Sequence, residues 1–292
     1  MTTLLVPLAG LWFAATLPAE TAACDPVVVY RSGSDAYEEA AEGIREVLAR
    51  SNCHPEFLDL ADASSEKPLA KAIAGHRALV TIGAGAWQKA APGNPAIAAL
   101  VLRRDLPAGN GTNAVFADVP LTTILENLRE LFPHKARVAW VRRPQSIAVD
   151  AATLNRARQL GWELIPVECA GPDKLMATFS SLKGRADLVV AEPDAELYNS
   201  ATVKPLVLAS LDQRLPIVGF SAGFVRAGAL VGVYPDFREL GRQTGELILD
   251  LAAGRVTRGG ENLRKVVVAI NPRIVRLMGL EPVRREGVVE IK

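Results

Sequence analysis

The chain has 292 residues, room for two domains of about 150 residues or for one large one. Hydrophobic residues make up 49% of it and charged residues 22%, a globular composition that excludes a disordered chain. With 33 Lys and Arg against 32 Asp and Glu the net charge is +1, which supplies no field to hold a polyanion and argues against a nucleic-acid partner; three cysteines are too few for a disulfide scaffold and lack the paired spacing of a zinc site.

The chain starts with an apolar run, Leu4 to Ala19, that is interrupted by Pro7 and Pro18 and falls short of the roughly 20 residues needed to cross a bilayer. Small residues follow at Thr21, Ala22 and Ala23, so residues 1–23 read as a secretory signal peptide, and the expected location is the periplasm or cell envelope. The leading Met-Thr-Thr lacks the usual basic residue, and the first positive charge is Arg31. Cys24 has two readings. Thr-Ala-Ala-Cys loosely matches a lipoprotein box, which would tie the chain to a membrane through a lipid at Cys24. Alternatively, Cys24 and Cys53 each precede a predicted strand, and adjacent parallel strands about 4.8 Å apart would let the two form a disulfide. The spacing favours the disulfide. Cys169 reads as a buried apolar thiol.

Beyond Cys24, short β-rich runs alternate with amphipathic segments. Pro26 to Tyr30 is followed by a helix from Asp35, with Asp35 and Glu38 as a capping box and Tyr37, Ala40, Ala41, Ile44, Val47 and Leu48 on one face. Glu56 to Leu60, Ala78 to Ile82, Ile97 to Leu102 and Asn113 to Ala117 are the next strands. Leu121 to Leu131 carries a leucine stripe and leads through Phe132-Pro133 to a second series: Arg137 to Val141, Leu164 to Val167, Leu188 to Ala191 and Ile217 to Phe220. A helix from Phe237 to Ala253 and a strand from Lys265 to Ile270 close the chain. Strands separated by helices imply parallel βαβ units, here two doubly wound α/β sheets; a (β/α)₈ barrel is the competing architecture on strand count.

Open parallel sheets bind ligands beyond the C-terminal ends of their strands. That edge collects Ser32 and Ser34 after the first strand and Gly83, Ala84, Gly85, Ala86 and Trp87 after the third; Arg103, Arg104 and Asp105 follow the fourth. In the second series it collects Arg142, Arg143, Ser146, Asp194 and Ser221. Arginine forks and exposed helix amides suit an anionic or zwitterionic small ligand, and Asp194 would either receive a ligand amine or cap the following helix. Singly, each arginine reads as a surface ion pair; their placement together points to a site.

Enzyme signatures fail on inspection. Gly219 to Gly223 matches G-x-S-x-G, but His54, His76 and His134 all precede Ser221 and stand before predicted strands, so no base is assigned to that serine. Gly83 to Gln88 resembles a dinucleotide loop with a bulky residue at its third small position, and it follows the wrong strand. No metal-ligand or cofactor motif is present in the sequence.

Four stretches carry a family resemblance: Gly109-Asn110-Gly111-Thr112 through Leu128 to Pro133; Asp187 to Asp194 with Ser200-Ala201; Phe220 to Gly232; and Gly241-Arg242 with Gly254, Asn271 and Leu277 to Leu280. In these the chain resembles ABC-transporter substrate-binding proteins related to tryptophan- and tyrosine-binding components, which have the type I periplasmic-binding fold. The resemblance implies two hinged lobes: residues 24–119 with about 233–260, and 120–232 with about 261–292. It further implies a partner permease, a carboxylate held near Gly83 to Ala86 and an amine held by Asp194. GAGAW and Val141-Arg142-Arg143-Pro144 depart from the family's segments, which puts an amino-acid ligand in doubt.

The expectation is therefore a non-enzymatic, exported solute-binding protein that closes around a small ligand. The alternatives are a histidine-independent enzyme using Asp35, Asp105, Glu192 or Asp194, and a sensory or assembly protein that keeps the fold.

Overall fold

A computed structural model describes residues 24–75, 77–106, 112–144, 149–255 and 259–292. Residues 1–23, read from sequence as a signal peptide, His76, residues 109–111 and Ser146 lie outside the described residues.

The first run of the chain is β1 (Val27–Tyr30), α1 (Asp35–Leu48), β2 (Glu56–Asp59), α2 (Glu66–Ala74), β3 (Leu79–Ile82), α3 (Ala84–Ala90), β4 (Ile97–Val101) and β5 (Asn113–Phe116). The second begins with α4 (Leu121–Leu131), β6 (Arg137–Arg142), α5 (Ala151–Gln159), β7 (Glu163–Glu168) and α6 (Pro172–Ser180). It continues through β8 (Leu188–Ala191), α7 (Val203–Gln213), β9 (Ile217–Gly219), α8 (Ala222–Ala227) and β10 (Val231–Pro235). The tail is α9 (Phe237–Ala252), β11 (Gly260–Asn262), β12 (Val266–Ile270), α10 (Pro272–Met278) and β13 (Val288–Glu290).

Two open sheets result, not a barrel. One has the order β11-β5-β4-β3-β1-β2 and the other β13-β12-β10-β9-β8-β6-β7. Every pairing is parallel except β10 with β12; between these two strands the chain leaves for the first sheet as α9 and β11 before β12 returns beside β10. The central strands are buried on both faces, as parallel sheets require. In the first sheet Val28, Val80, Ile97 and Val115 face α1 and α9, while Val27, Val29 and Leu79 face α2 and α3. Both faces of the second sheet are covered in the same way.

The chain passes between the sheets at residues 117–120, at Asp236 and at residues 263–265. Val233 to Pro235, grouped with the first lobe from sequence, pair with β12 and lie in the second sheet. The apolar alternation of β10 runs on to Pro235, and the turn to helix comes only at Asp236, which caps α9 by accepting from the Glu239 amide. The first helix also differs from expectation. Its N-cap is Ser34, and Glu38 reaches back to the Gly33 amide at 2.9 Å, so Asp35 sits inside the first turn.

Cys24 and Cys53 form an isolated parallel bridge at the start of β1 and β2 and are joined by a disulfide, Cα to Cα 4.6 Å. A sulfur in that bond is not available for a thioether lipid. Cys169 is buried.

Candidate functional site

The parallel strands of both sheets end at a crevice crossed by the connecting segments. A cavity of about 170 Å³ lies there. Leu102 and Arg104, just past β4, form one wall. Trp140, Val190, Ala191, Glu192, Pro193, Gly219 and Phe220, from the ends of β6, β8 and β9, form the opposite one. The base is made by the crossings and their flanks: Ala117, Asp118, Val119, Leu121, Ile124, Val233, Pro235 and Phe237. Its surface is mainly aliphatic and aromatic, with Arg104, Asp118 and Glu192 as the charged members.

Asp118 accepts from the Arg103 amide at 2.8 Å. Burial raises its carboxyl above the ordinary range, and that bond, with the nearby Arg103 and Arg104 charges, only partly offsets the shift. Tyr198, Phe220 and Phe224 form an aromatic group behind the Phe220 wall, with centroids 5.4 to 5.7 Å apart. Burial pushes the Tyr198 hydroxyl strongly upward, so it stays neutral.

Asp194 is the most heavily engaged polar group near the cavity. Its side chain is 4% exposed, and its Oδ1 accepts from the Glu196 amide at 2.9 Å and the Leu197 amide at 3.1 Å. Its Oδ2 lies 2.7 Å from Arg143 Nε and 3.8 Å from Arg104 Nη1. Arg104 belongs to the first lobe and Asp194 to the second, so this ion pair spans the crevice. Arg104 also donates to the Pro193 carbonyl, and Arg143 pairs with Glu196.

None of the other described residues named as ligand-binding from sequence lines this cavity. The Ser32 amide donates to Asp59 at 2.9 Å, and Ser34 starts α1 without a side-chain cap bond. Gly83 has φ +86° and its amide bonds Ala99; a Cβ there would meet the Tyr37 ring at 2.7 Å. That close approach explains the glycine without a ligand. Ala84, Gly85 and Ala86 open α3, and Trp87 packs half-buried against Ala98, Val101, Ala114 and Phe116. Arg103 stacks over Phe116 at 4.0 Å and donates to Asn262. Arg142 pairs with Glu168 at 3.0 Å, and Ser221 caps α8 by accepting from Phe224 at 3.1 Å. His54 and His134 precede β2 and β6, at the end of the sheets away from the crevice. Among the described residues no group of His, Cys, Asp or Glu is arranged to hold a metal.

Arg104, read from sequence at the ligand edge beside Arg103, and Glu192, read as a candidate acid, do line the cavity, whereas their neighbours Leu102 and Pro193 were not singled out. Arg103 to Asp105 form a 3₁₀ turn after β4, so strand alternation does not decide which of the two arginines faces the crevice. The apolar floor from the crossings carries no sequence signal.

No family model matches this chain. It is 22% identical over 209 residues to a tyrosine-binding protein of Clostridioides difficile (strain R20291), a match covering 68% of this chain and 58% of that protein's length. Among solved structures it is similar to a ligand-free, open substrate-binding protein with adhesive properties from Clostridium difficile, with a TM-score of 0.69 and 16% identity over 92% of this chain and 99% of that one. It is similar also to a Streptococcus pneumonia ABC domain in complex with L-Trp, with a TM-score of 0.60, 17% identity and coverage of 91% and 99%. A periplasmic ribose ABC-transporter protein of Conexibacter woesei aligns with a TM-score of 0.54 and 13% identity, covering 89% and 96%. These likenesses establish the fold: two parallel-dominated α/β sheets of the type I periplasmic-binding class.

Proposed function

We propose that this chain, which has the type I periplasmic-binding fold, is the exported solute-binding component of an ABC transporter and captures a small ligand between its two lobes. The observation that carries the reading is the cavity itself. It stands where both sheets end, both lobes and two of the crossings between them build its wall, and its apolar surface would be lost to water in an open chain. The names of similar proteins, among them a substrate-binding protein, a tyrosine-binding protein, an ABC domain in complex with L-Trp and the sugar-binding protein of a sugar ABC transporter, support the same role and a permease as partner. A leader-like start and the Cys24–Cys53 disulfide support export, because such bonds persist in oxidising compartments.

The expected zwitterionic ligand with its amine on Asp194 finds less support. Asp194 already holds two guanidiniums and two amides, and most of the wall is apolar.

The test uses Trp140, which lines the cavity beside Ile124. Titrating the protein with ring-sized apolar compounds should change its tryptophan fluorescence and raise its Tm. Trp140→Phe should lose the fluorescence change, and Ile124→Trp, which fills the space, should abolish both responses. Responses that survive in Ile124→Trp would place the ligand elsewhere.

A further inference from the structure

Asp194 Oδ2 and the Pro193 carbonyl, both on the second lobe, form a seat for one cation at the crevice edge. A ligand ammonium would use such a pair, with a carboxylate for its charge and a carbonyl for a second N–H. In this chain Arg104 of the first lobe fills the seat, with Nη1 3.8 Å from Oδ2 and Nη2 donating to Pro193. Arg143 holds the same carboxylate from the second lobe at 2.7 Å and Glu196 and Leu197 take its other oxygen. Oδ1 is thus fully used, and Arg104 occupies the position between Oδ2 and the Pro193 carbonyl that a guest cation would take.

We propose that Arg104 is the specificity-determining residue of this site: it stands in for a ligand's cationic group, so that the chain itself bridges the lobes and the cavity selects amine-free apolar molecules about one ring in size. The part concerning ligands rests on the solute-binding reading above; the bridge between lobes does not. Size follows from the volume, since the cavity of about 170 Å³ is close to one of roughly 150 Å³ that accepts benzene. Polarity follows from walls such as Trp140, Phe220 and Phe237, and from the one cation of the wall being already committed. Asp118 and Glu192 also line the cavity and are the places where an amine would bind if the proposal were wrong.

Two measurements decide it. In the first, spin labels are placed at Lys89 and Ser200, exposed positions on the two lobes, and their separation is read by pulsed electron resonance without ligand. Arg104→Ala should move the distribution to longer distances, shifting the equilibrium between bridged and open lobes about ten-fold, the scale of one hydrogen bond to a charged group. Arg104→Lys, which keeps the charge and loses the fork, should fall between. A distribution in Arg104→Ala that coincides with wild type overturns the bridge.

In the second, calorimetric titration compares 2-phenylethanol with 2-phenylethylamine. Wild type should bind the alcohol more tightly, and Arg104→Ala should improve the affinity for the amine relative to the alcohol by about ten-fold. A wild type that prefers the amine, or a ratio unchanged in the variant, overturns the specificity assignment. Binding of neither compound to either protein contradicts capture of ring-sized ligands at this cavity, and the label distances still decide the bridge.

Discussion

At Arg103 the guanidinium lies 4.0 Å from the Phe116 centroid and donates to Asn262, joining the turn after β4 to β11. Its neighbour Arg104 reaches the crevice. Replacing Arg103 with alanine should therefore cost about 1 kcal/mol of stability, from the lost stacking and hydrogen bond, and leave ligand affinity unchanged; denaturant melts and a binding titration on the same variant check both. A weakened affinity at full stability would return Arg103 to the site. Asp187 gives a pH prediction. Burial pushes its carboxyl up, but the Arg137 side chain and the Arg137 and Ala136 amides outweigh that and hold it below the ordinary value. A depressed folded pKa contributes stability that is present above the unfolded value, near 4, and is lost as pH falls through the folded one. Wild type should accordingly lose stability more steeply than Asp187→Asn as pH drops below about 4, read from Tm against pH. At this scale the sequence was informative about which loops matter and poor at deciding between adjacent residues. Asp194 was legible as an important acid because it follows a buried strand. That its partners are Arg104 and Arg143 was not, since one of them comes from another lobe.

Among the elements, α1 and α9 cross so closely that backbone meets backbone. A Cβ on Gly43 would lie 2.1 Å from the Arg238 carbonyl oxygen, and one on Gly241 would lie 2.1 Å from that of Ala40. Main-chain atoms inside two packed helices have little room to give, so Gly241→Ala should destabilise by at least about 2 kcal/mol, in the upper range for overpacking. Gly254→Ala offers a comparison in which nothing lies within 4 Å, so its cost comes only from its positive φ. If Gly241→Ala melts like wild type, the crossing is looser than described. Glu46 adds ion pairs to both Arg238 and Arg242 across the same helices. This crossing returns α9 to the first lobe after the chain has built most of the second. It was invisible in sequence because its two glycines are about 200 residues apart and look like ordinary weak points of amphipathic helices. The strands were easier to read. Their buried faces are written as runs such as Val27-Val28-Val29, which depend only on local burial. At the strand starts, removing the Cys24–Cys53 bond with Cys24→Ser and Cys53→Ser should lower stability by about 3.5 kcal/mol, the scale set by a loop of 29 residues.

For the molecule as a whole, a binding protein of this fold works by population shift between open and closed lobes. A ligand must favour the closed state by about 5.5 kcal/mol to move the balance from 1:99 to 99:1. A bridge supplied by Arg104 would lower what the ligand itself has to contribute, which suits a small apolar guest with few polar handles. The two-sheet architecture was readable from strand and helix alternation. The place where the second crossing occurs was not, because β10 continues its apolar pattern through residues 233–235 before Asp236 starts α9. The central claim, that the two lobes hold a guest in the cavity between them, is tested most directly by native mass spectrometry of the protein purified without refolding. The account predicts a bound small molecule without an amine, present in wild type and absent from Ile124→Trp. A chain that is bare in every preparation and stays bare after incubation with ring-sized apolar compounds, or an adduct retained equally by Ile124→Trp, would contradict it.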